Sequence, residues 1–150
     1  MPSISDPTVL ARLCARLEAL QPNLDRKWGT MTAGEMVCHM ADAHAAVMDP
    51  NSHRPAPRWR PLLKWIALYA PLNWPKGFKS PARIDQRKGG TKPTTFEADR
   101  QRAIATLQAL AAAPPEAWPP NHAVFGTLSA EEWRVWAYRH TDHHLRQFGL

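Results

Sequence analysis

Three histidines stand within five residues near the C-terminus, in Ser129-Ala-Glu-Glu-Trp133-Arg-Val-Trp136-Ala-Tyr-Arg-His140-Thr-Asp-His143-His144-Leu-Arg-Gln147-Phe-Gly-Leu150. The stretch reads as a helix, and His140 and His144, four residues apart, stand one above the other on one face. Two imidazoles so placed can reach one divalent ion. A catalytic site of the zinc type needs a third protein ligand and an open position. His39 is the best third ligand, because it sits in the middle of the apolar face of an upstream helix and helix axes pack about 8–10 Å apart. His143 lies about 100° round the helix from His144, so it serves as a neighbour or rim residue rather than a ligand. Asp142 points away. Gln147 lies one turn past His143 and in line with His140, where it can face the site as a hydrogen-bond donor. Asp42, three residues after His39, lies at the edge of the same face, and His44 points well away from it. The residue after His140 is Thr141 and no Glu separates the two histidines, so this is not the zinc-protease motif. A histidine on an apolar face is also an ordinary core residue with satisfied nitrogens, and spacing alone leaves both readings open.

The elements that must position these residues are legible from period and capping. Leu10, Leu13, Cys14, Leu17 and Leu20 form one stripe of a first helix over residues 8–20, with Asp6 as N-cap and Pro7 in its first turn. Thr32 and Glu35 form a capping box opening a second helix that runs to Asp49-Pro50. Its inner face carries Thr32, Met36, His39, Ala43 and Ala46. The short connection between them predicts antiparallel neighbours. Leu62 to Tyr69 forms a short helix between Pro61 and Pro71, apolar nearly all the way round, which suggests burial or a contact with a second copy. Residues 71–93 have no helical period, yet Trp74 and Phe78 need something to pack on. Thr94 and Glu97 form another capping box before a helix ending at Pro114-Pro115, and Ser129 with Glu132 opens the last. No convincing strand is present. The expected fold is all-α: one domain over 1–150, a four-helix bundle with a long crossover between the second and third bundle helices and a short extra helix in it. Trp133, Trp136 and Phe148 read as core.

Charge is placed unevenly. Of 19 Lys/Arg and 13 Asp/Glu, residues 53–93 hold ten bases and one acid, Asp85, so the net +6 of the chain comes from this segment. It is either a solvated loop or an electrostatic funnel for an anionic ligand, with Arg54, Arg58, Arg60, Lys76 and Lys79 as candidate contacts. Nucleic acid is a third possibility without a recognition signature to support it. Cys14 and Cys38 lie in apolar helical patterns and read as free buried thiols, which fits a reducing cytoplasm. No signal peptide and no apolar run of membrane-spanning length is visible, so no membrane partner is expected.

The pairing of His39 with a C-terminal His-x-x-x-His resembles the DinB/YfiT-like superfamily of metal-binding four-helix bundles. Trp28-Gly-Thr-Met-Thr, Met36-Val-Cys-His39-Met, Pro75-Lys76-Gly77 and His122-x-x-Phe125-Gly126-x-Leu128-Ser resemble a bacterial branch of it, a domain of unknown function, as does Glu132-Trp133 running into His140-Thr-Asp-His143-His144-Leu-Arg-Gln147. The resemblance spans nearly the whole chain. It implies a divalent metal on His39, His140 and His144, zinc or nickel first and iron or manganese also possible ions for imidazole ligands. It implies a metal-dependent enzyme, a thiol-dependent S-transferase or a related hydrolase or isomerase acting on a small anionic ligand, with a low-molecular-weight thiol such as bacillithiol or mycothiol. Many members read His-His-x-Gly-Gln at the end of the motif, whereas Arg146 precedes Gln147 here. The other reading is a non-catalytic helical metal-binding or interaction module. His143, Gln147, Asp42 and His122 are the candidates for residues around the metal ligands, His122 either lining the site or capping and packing ahead of the last helix.

Overall fold

The computed structural model describes residues 1–49 and 61–150. Its elements, in order, are α1 (Pro7–Ala19), α2 (Ala33–Met48), α3 (Pro61–Tyr69), a 3-10 turn (Ala82–Ile84), α4 (Phe96–Ala112), a second 3-10 turn (Pro115–Ala117), β1 (Asn121–His122), β2 (Gly126–Thr127) and α5 (Ala130–Gln147). The protein is mostly helical. Its strands are a two-residue antiparallel pair in the connector before α5, where no strand is expected from the sequence.

Helix starts follow the capping chemistry in three cases. The Asp6 carboxylate accepts from the Thr8 and Val9 amides at 2.8 and 3.4 Å. Thr32 with Glu35 and Ser129 with Glu132 close both bonds of their capping boxes. The box expected at Thr94 and Glu97 does not form: the N-cap of α4 is Thr95, and it makes no side-chain cap bond. Asp99 takes over, accepting from the Thr94 amide at 2.7 Å. Glu97 turns outward to Arg100 and Gln101. The Thr94 amide thus finds its acceptor in a buried carboxylate one turn into the helix instead of in Glu97.

α2 is packed between α4, α5 and the 3-10 turn at Ala82–Ile84. Met36, Val37, Cys38, His39, Met40 and Ala41 are all buried, so for more than one turn α2 is enclosed on every face. Its most extensive contact is along α4. α1 packs against α4 and α5 rather than along α2, contrary to the antiparallel pairing expected from the short connection. Residues 20–32 instead carry the chain across the end of α5, where the Lys27 amide donates to the Gln147 carbonyl at 2.7 Å. One apolar cluster joins Leu13 and Leu17 of α1, Met36 and Met40 of α2, Leu107 and Leu110 of α4, and Trp133 and Leu145 of α5. Trp133, Trp136 and Phe148 are buried, as expected.

The segment between α2 and α4 is tied down at both ends of its described part. Asp42 accepts from Gln86 Nε2, the Thr91 amide and the Thr91 hydroxyl, each at 2.8 Å, and pairs with Arg102 of α4. Arg139 of α5 donates to the carbonyls of Ala70 and Leu72, and Trp74 Nε1 donates to the Ala67 carbonyl at 2.7 Å. α3 buries only Ala67 and Leu68, and leaves Leu62, Trp65, Ile66 and Tyr69 exposed. Phe78, expected to pack, is also exposed. No helix among the described residues is long and apolar enough to cross a membrane.

Candidate metal centre

α2 and α5 bring His39, His140 and His144 together. One ring nitrogen from each lies within 4.8 Å of the others, the spacing of donors that can share one ion. All three rings are buried, at 2%, 7% and 7% exposure. Burial away from charge partners disfavours the imidazolium. Desolvation pulls His140 and His144 well below the usual histidine range, and each is lowered further by the neighbouring rings. His39 is lowered by desolvation too, partly offset by its bond to Ile84 and by Asp42. Three uncharged imidazoles with ring centroids 4.7–5.3 Å apart, each with a nitrogen near the other two, are the donor set a divalent borderline metal takes.

The tautomers follow from the partners around the cluster. His39 Nδ1 lies 2.7 Å from the Ile84 carbonyl oxygen, which can only accept, so Nδ1 carries the proton and Nε2 is left as the donor atom. His144 Nδ1 lies 3.2 Å from Gln147 Oε1. Gln147 Nε2 in turn donates to the Trp28 carbonyl at 3.0 Å, which fixes the amide with its oxygen toward His144. His144 Nδ1 is therefore protonated as well and Nε2 is its donor. These are the outer contacts that orient metal-ligating histidines. His140 is held differently. Trp136, one turn earlier, stacks on it at 4.9 Å with planes 11° apart, and His140 Nδ1 is buried without a hydrogen-bond partner. A buried ring nitrogen with no partner is costly in an empty core. The donor set and this orphaned atom both fit a bound cation.

The cluster forms the floor of a cleft of about 880 Å³. Trp28, Trp74 and Phe125 stand over it, with Trp74 6.3 Å from His140 and 5.9 Å from His143. The 80–88 segment forms one wall, so the Ile84 carbonyl that orients His39 is also part of that wall.

Other candidate residues fall in distinct places. His143 lines the cleft beside Trp28, 4.7 Å away, and is no part of the three-histidine cluster. Desolvation and then Arg146 push it down to about 4. Gln147 faces the cluster, but as an acceptor toward His144 rather than as a donor. His122 lines the cleft, and its Nδ1 accepts from the Val124 and Phe125 amides at 3.0 and 3.3 Å, closing the turn between β1 and β2. Burial lowers it to about 4. Asp42 does not line the cleft; it sits beside it, clasping Gln86 and Thr91 at the edge of the face that carries His39. His44, expected to point away from the interior, is buried 6.0 Å from His140. Its Nδ1 lies 3.4 Å from Thr106 Oγ1 and its Nε2 3.3 Å from Thr141 Oγ1. Thr106 spends its own proton on the Ala103 carbonyl, so it accepts from Nδ1, and Thr141 donates to Nε2. His44 is thus the satisfied core histidine. α2 is buried on more than one side, and a one-face wheel hides that.

Of the expected anion contacts, Lys79 lines the cleft, while Lys76 lies over the Trp28 ring at 5.8 Å. Arg54, Arg58 and Arg60 fall outside the described residues. Arg87, Lys88 and Arg139 also line the cleft, and the sequence reading does not single them out. Nor does it find Ile84, because a backbone acceptor has no sequence signature. Cys14 and Cys38 are free. Neither lines the cleft, and burial raises Cys38 to about 11, which leaves it protonated. Comparison of the chain with family models, curated proteins and solved structures finds no match.

Proposed function

We propose that this chain is a metal-dependent enzyme holding one divalent ion on His39, His140 and His144. In this reading α1, α2, α4 and α5 form a four-helix bundle of the DinB/YfiT-like kind, and the segment carrying α3 is the long crossover between its second and third helices. The observation that carries it is the convergence of three neutral, buried imidazoles at the floor of an open cleft. Zinc or nickel suits that donor set first, iron or manganese next. A divalent ion on three neutral ligands keeps its charge and an open position, and supplies Lewis-acid chemistry to a bound water or thiol.

The chain's own residues do the rest. Ile84 and Gln147 hold two of the rings in the donating tautomer. Trp136 fixes the third by stacking. Trp28, Trp74 and Phe125 keep bulk water from the floor and shape the approach of a ligand. The lining contributes no cysteine, so a thiol taking part would come from outside; the reading we take is a thiol-dependent S-transferase, and a related hydrolase or isomerase fits the same floor. The free, unpaired cysteines suit a reducing compartment, and we place the protein in the cytoplasm. The test is conversion of 1-chloro-2,4-dinitrobenzene in the presence of bacillithiol, mycothiol or cysteine, with zinc- and nickel-loaded protein. Turnover that vanishes in His140→Ala supports the reading. Metal bound stoichiometrically without turnover of any thiol supports the non-catalytic metal-binding module instead.

A further inference from the structure

The cleft is larger than its floor requires, and its walls specify a ligand class. A volume of about 880 Å³ lies at the upper end of small-molecule sites. The outer half is unusually apolar for a solvent-facing wall: Leu63, Ile66, Leu72, Phe78 and Val124 line it and remain 37% to 75% exposed. Five large apolar side chains turned toward one opening mark a surface that a ligand covers.

Charge narrows the class further. Four cations line the cleft, and three are already engaged. Arg87 grips Glu35 through two nitrogens at 3.0 and 3.1 Å and also donates to the Thr30 carbonyl. Lys88 pairs with Asp85 at 3.0 Å. Arg139 keeps its charge, but two of its nitrogens are held by the carbonyls of Ala70 and Leu72. Lys79 alone, among the described residues, has no hydrogen bond or ion pair, and it follows the most exposed of the apolar wall residues, Phe78. On the described lining Lys79 is thus the one cation with none of its donors engaged. That is the complement of a monoanion, and a poor match for a polyphosphate, which needs several free donors.

We infer that the outer cleft binds an amphipathic monoanion, an apolar body against Phe78, Leu72, Ile66 and Leu63 with its carboxylate or sulfonate on Lys79. This rests on the cleft being the substrate site and names the substrate class for it, with the ligand's body above the histidine floor. Each further methylene covered by the wall strengthens binding by about fourfold.

The experiment is calorimetric titration of the full chain with hexanoate, octanoate and decanoate, and with decyltrimethylammonium as the charge-inverted probe. The expected result is a dissociation constant that falls about fourfold per methylene, with the cationic probe at least tenfold weaker than decanoate. Lys79→Glu should weaken decanoate by more than tenfold and bring the two probes together or reverse them, while Phe78→Ser weakens both. Both positions are exposed, so neither substitution threatens the fold. Binding that ignores chain length, equal binding of the two head groups to the unsubstituted protein, or an unchanged decanoate affinity in Lys79→Glu overturns the inference. His140→Ala keeps this failure apart from failure of the metal reading: decanoate should still bind to it with the same chain-length dependence, whatever its metal content.

Discussion

Gly29 offers the most specific perturbation of the histidine cluster short of removing a ligand. Its φ is +81°, and a Cβ built there would lie 2.4 Å from Gln147 Nε2. Gln147 cannot swing aside cheaply, because it is buried and both amide atoms are bonded, one to the Trp28 carbonyl and one to His144. Gly29→Ala therefore breaks two hydrogen bonds and strands the protonated His144 Nδ1. Gly77→Ala is the control: its φ is +83°, but nothing lies within 4 Å of the new Cβ. Both substitutions carry the left-handed backbone cost of about 1–2 kcal/mol. Gly29→Ala should lose a further 2–4 kcal/mol or so from the lost bonds and the stranded donor. At 150 residues, that puts its Tm on the order of 10 °C below that of Gly77→Ala. Loosening the ring that Gln147 orients should also weaken metal binding by about 10–100-fold, against no change in Gly77→Ala. The assay is thermal melting by circular dichroism together with chelator competition for zinc. Equal melting of the two variants, with equal metal affinity, would refute the link from Trp28 through Gln147 to His144.

Acid should destabilise the metal-free protein in a defined window. Desolvation lowers the folded-state pKa of His44 to about 3, below its unfolded value, so between about pH 6.5 and 3 the unfolded chain binds more protons and stability falls as pH falls. His44 alone takes away about 2 kcal/mol by pH 5, measurable by urea titration across that range. Because burial also lowers His39, His140 and His144, metal should stay bound below pH 6, and release should follow the acid transition rather than precede it. His44→Phe should cost about 1–3 kcal/mol, chiefly through the buried Thr141 hydroxyl it leaves unpaired, while zinc stoichiometry stays at the unsubstituted level. Asp42→Asn should loosen residues 86–91, seen as faster limited proteolysis there and a loss of roughly 2–4 kcal/mol, since three donors and Arg102 converge on that carboxylate.

The helices were readable because their signals are local. Asp6-Pro7, Thr32 with Glu35 and Ser129 with Glu132 each satisfy orphan amides within a few residues, and the structure uses all three. Thr94 failed as a capping box because a competing acceptor, Asp99, lies one turn further on and is buried. The convergence of His39 with His140 and His144 was legible from helical faces, since period alone puts them inside. What period could not show was His44, because α2 is enclosed on several sides and has no single inner face. Nor could it show that α1 packs on α4 and α5, because a short connection fixes proximity of ends and not which flanks meet. Lys79 stood out from its neighbours only once Arg87, Lys88 and Arg139 were seen to be engaged, which is a property of partners and not of charge count.

The most direct measurement of the central claim is the metal content of the untagged protein, by elemental analysis after dialysis, beside His39→Ala, His140→Ala and His144→Ala. One divalent ion per chain, lost in each of the three variants and retained in His44→Phe, is the predicted result. A chain that takes up no zinc or nickel when offered them, or that keeps its full complement in His39→Ala, would contradict the three-histidine centre.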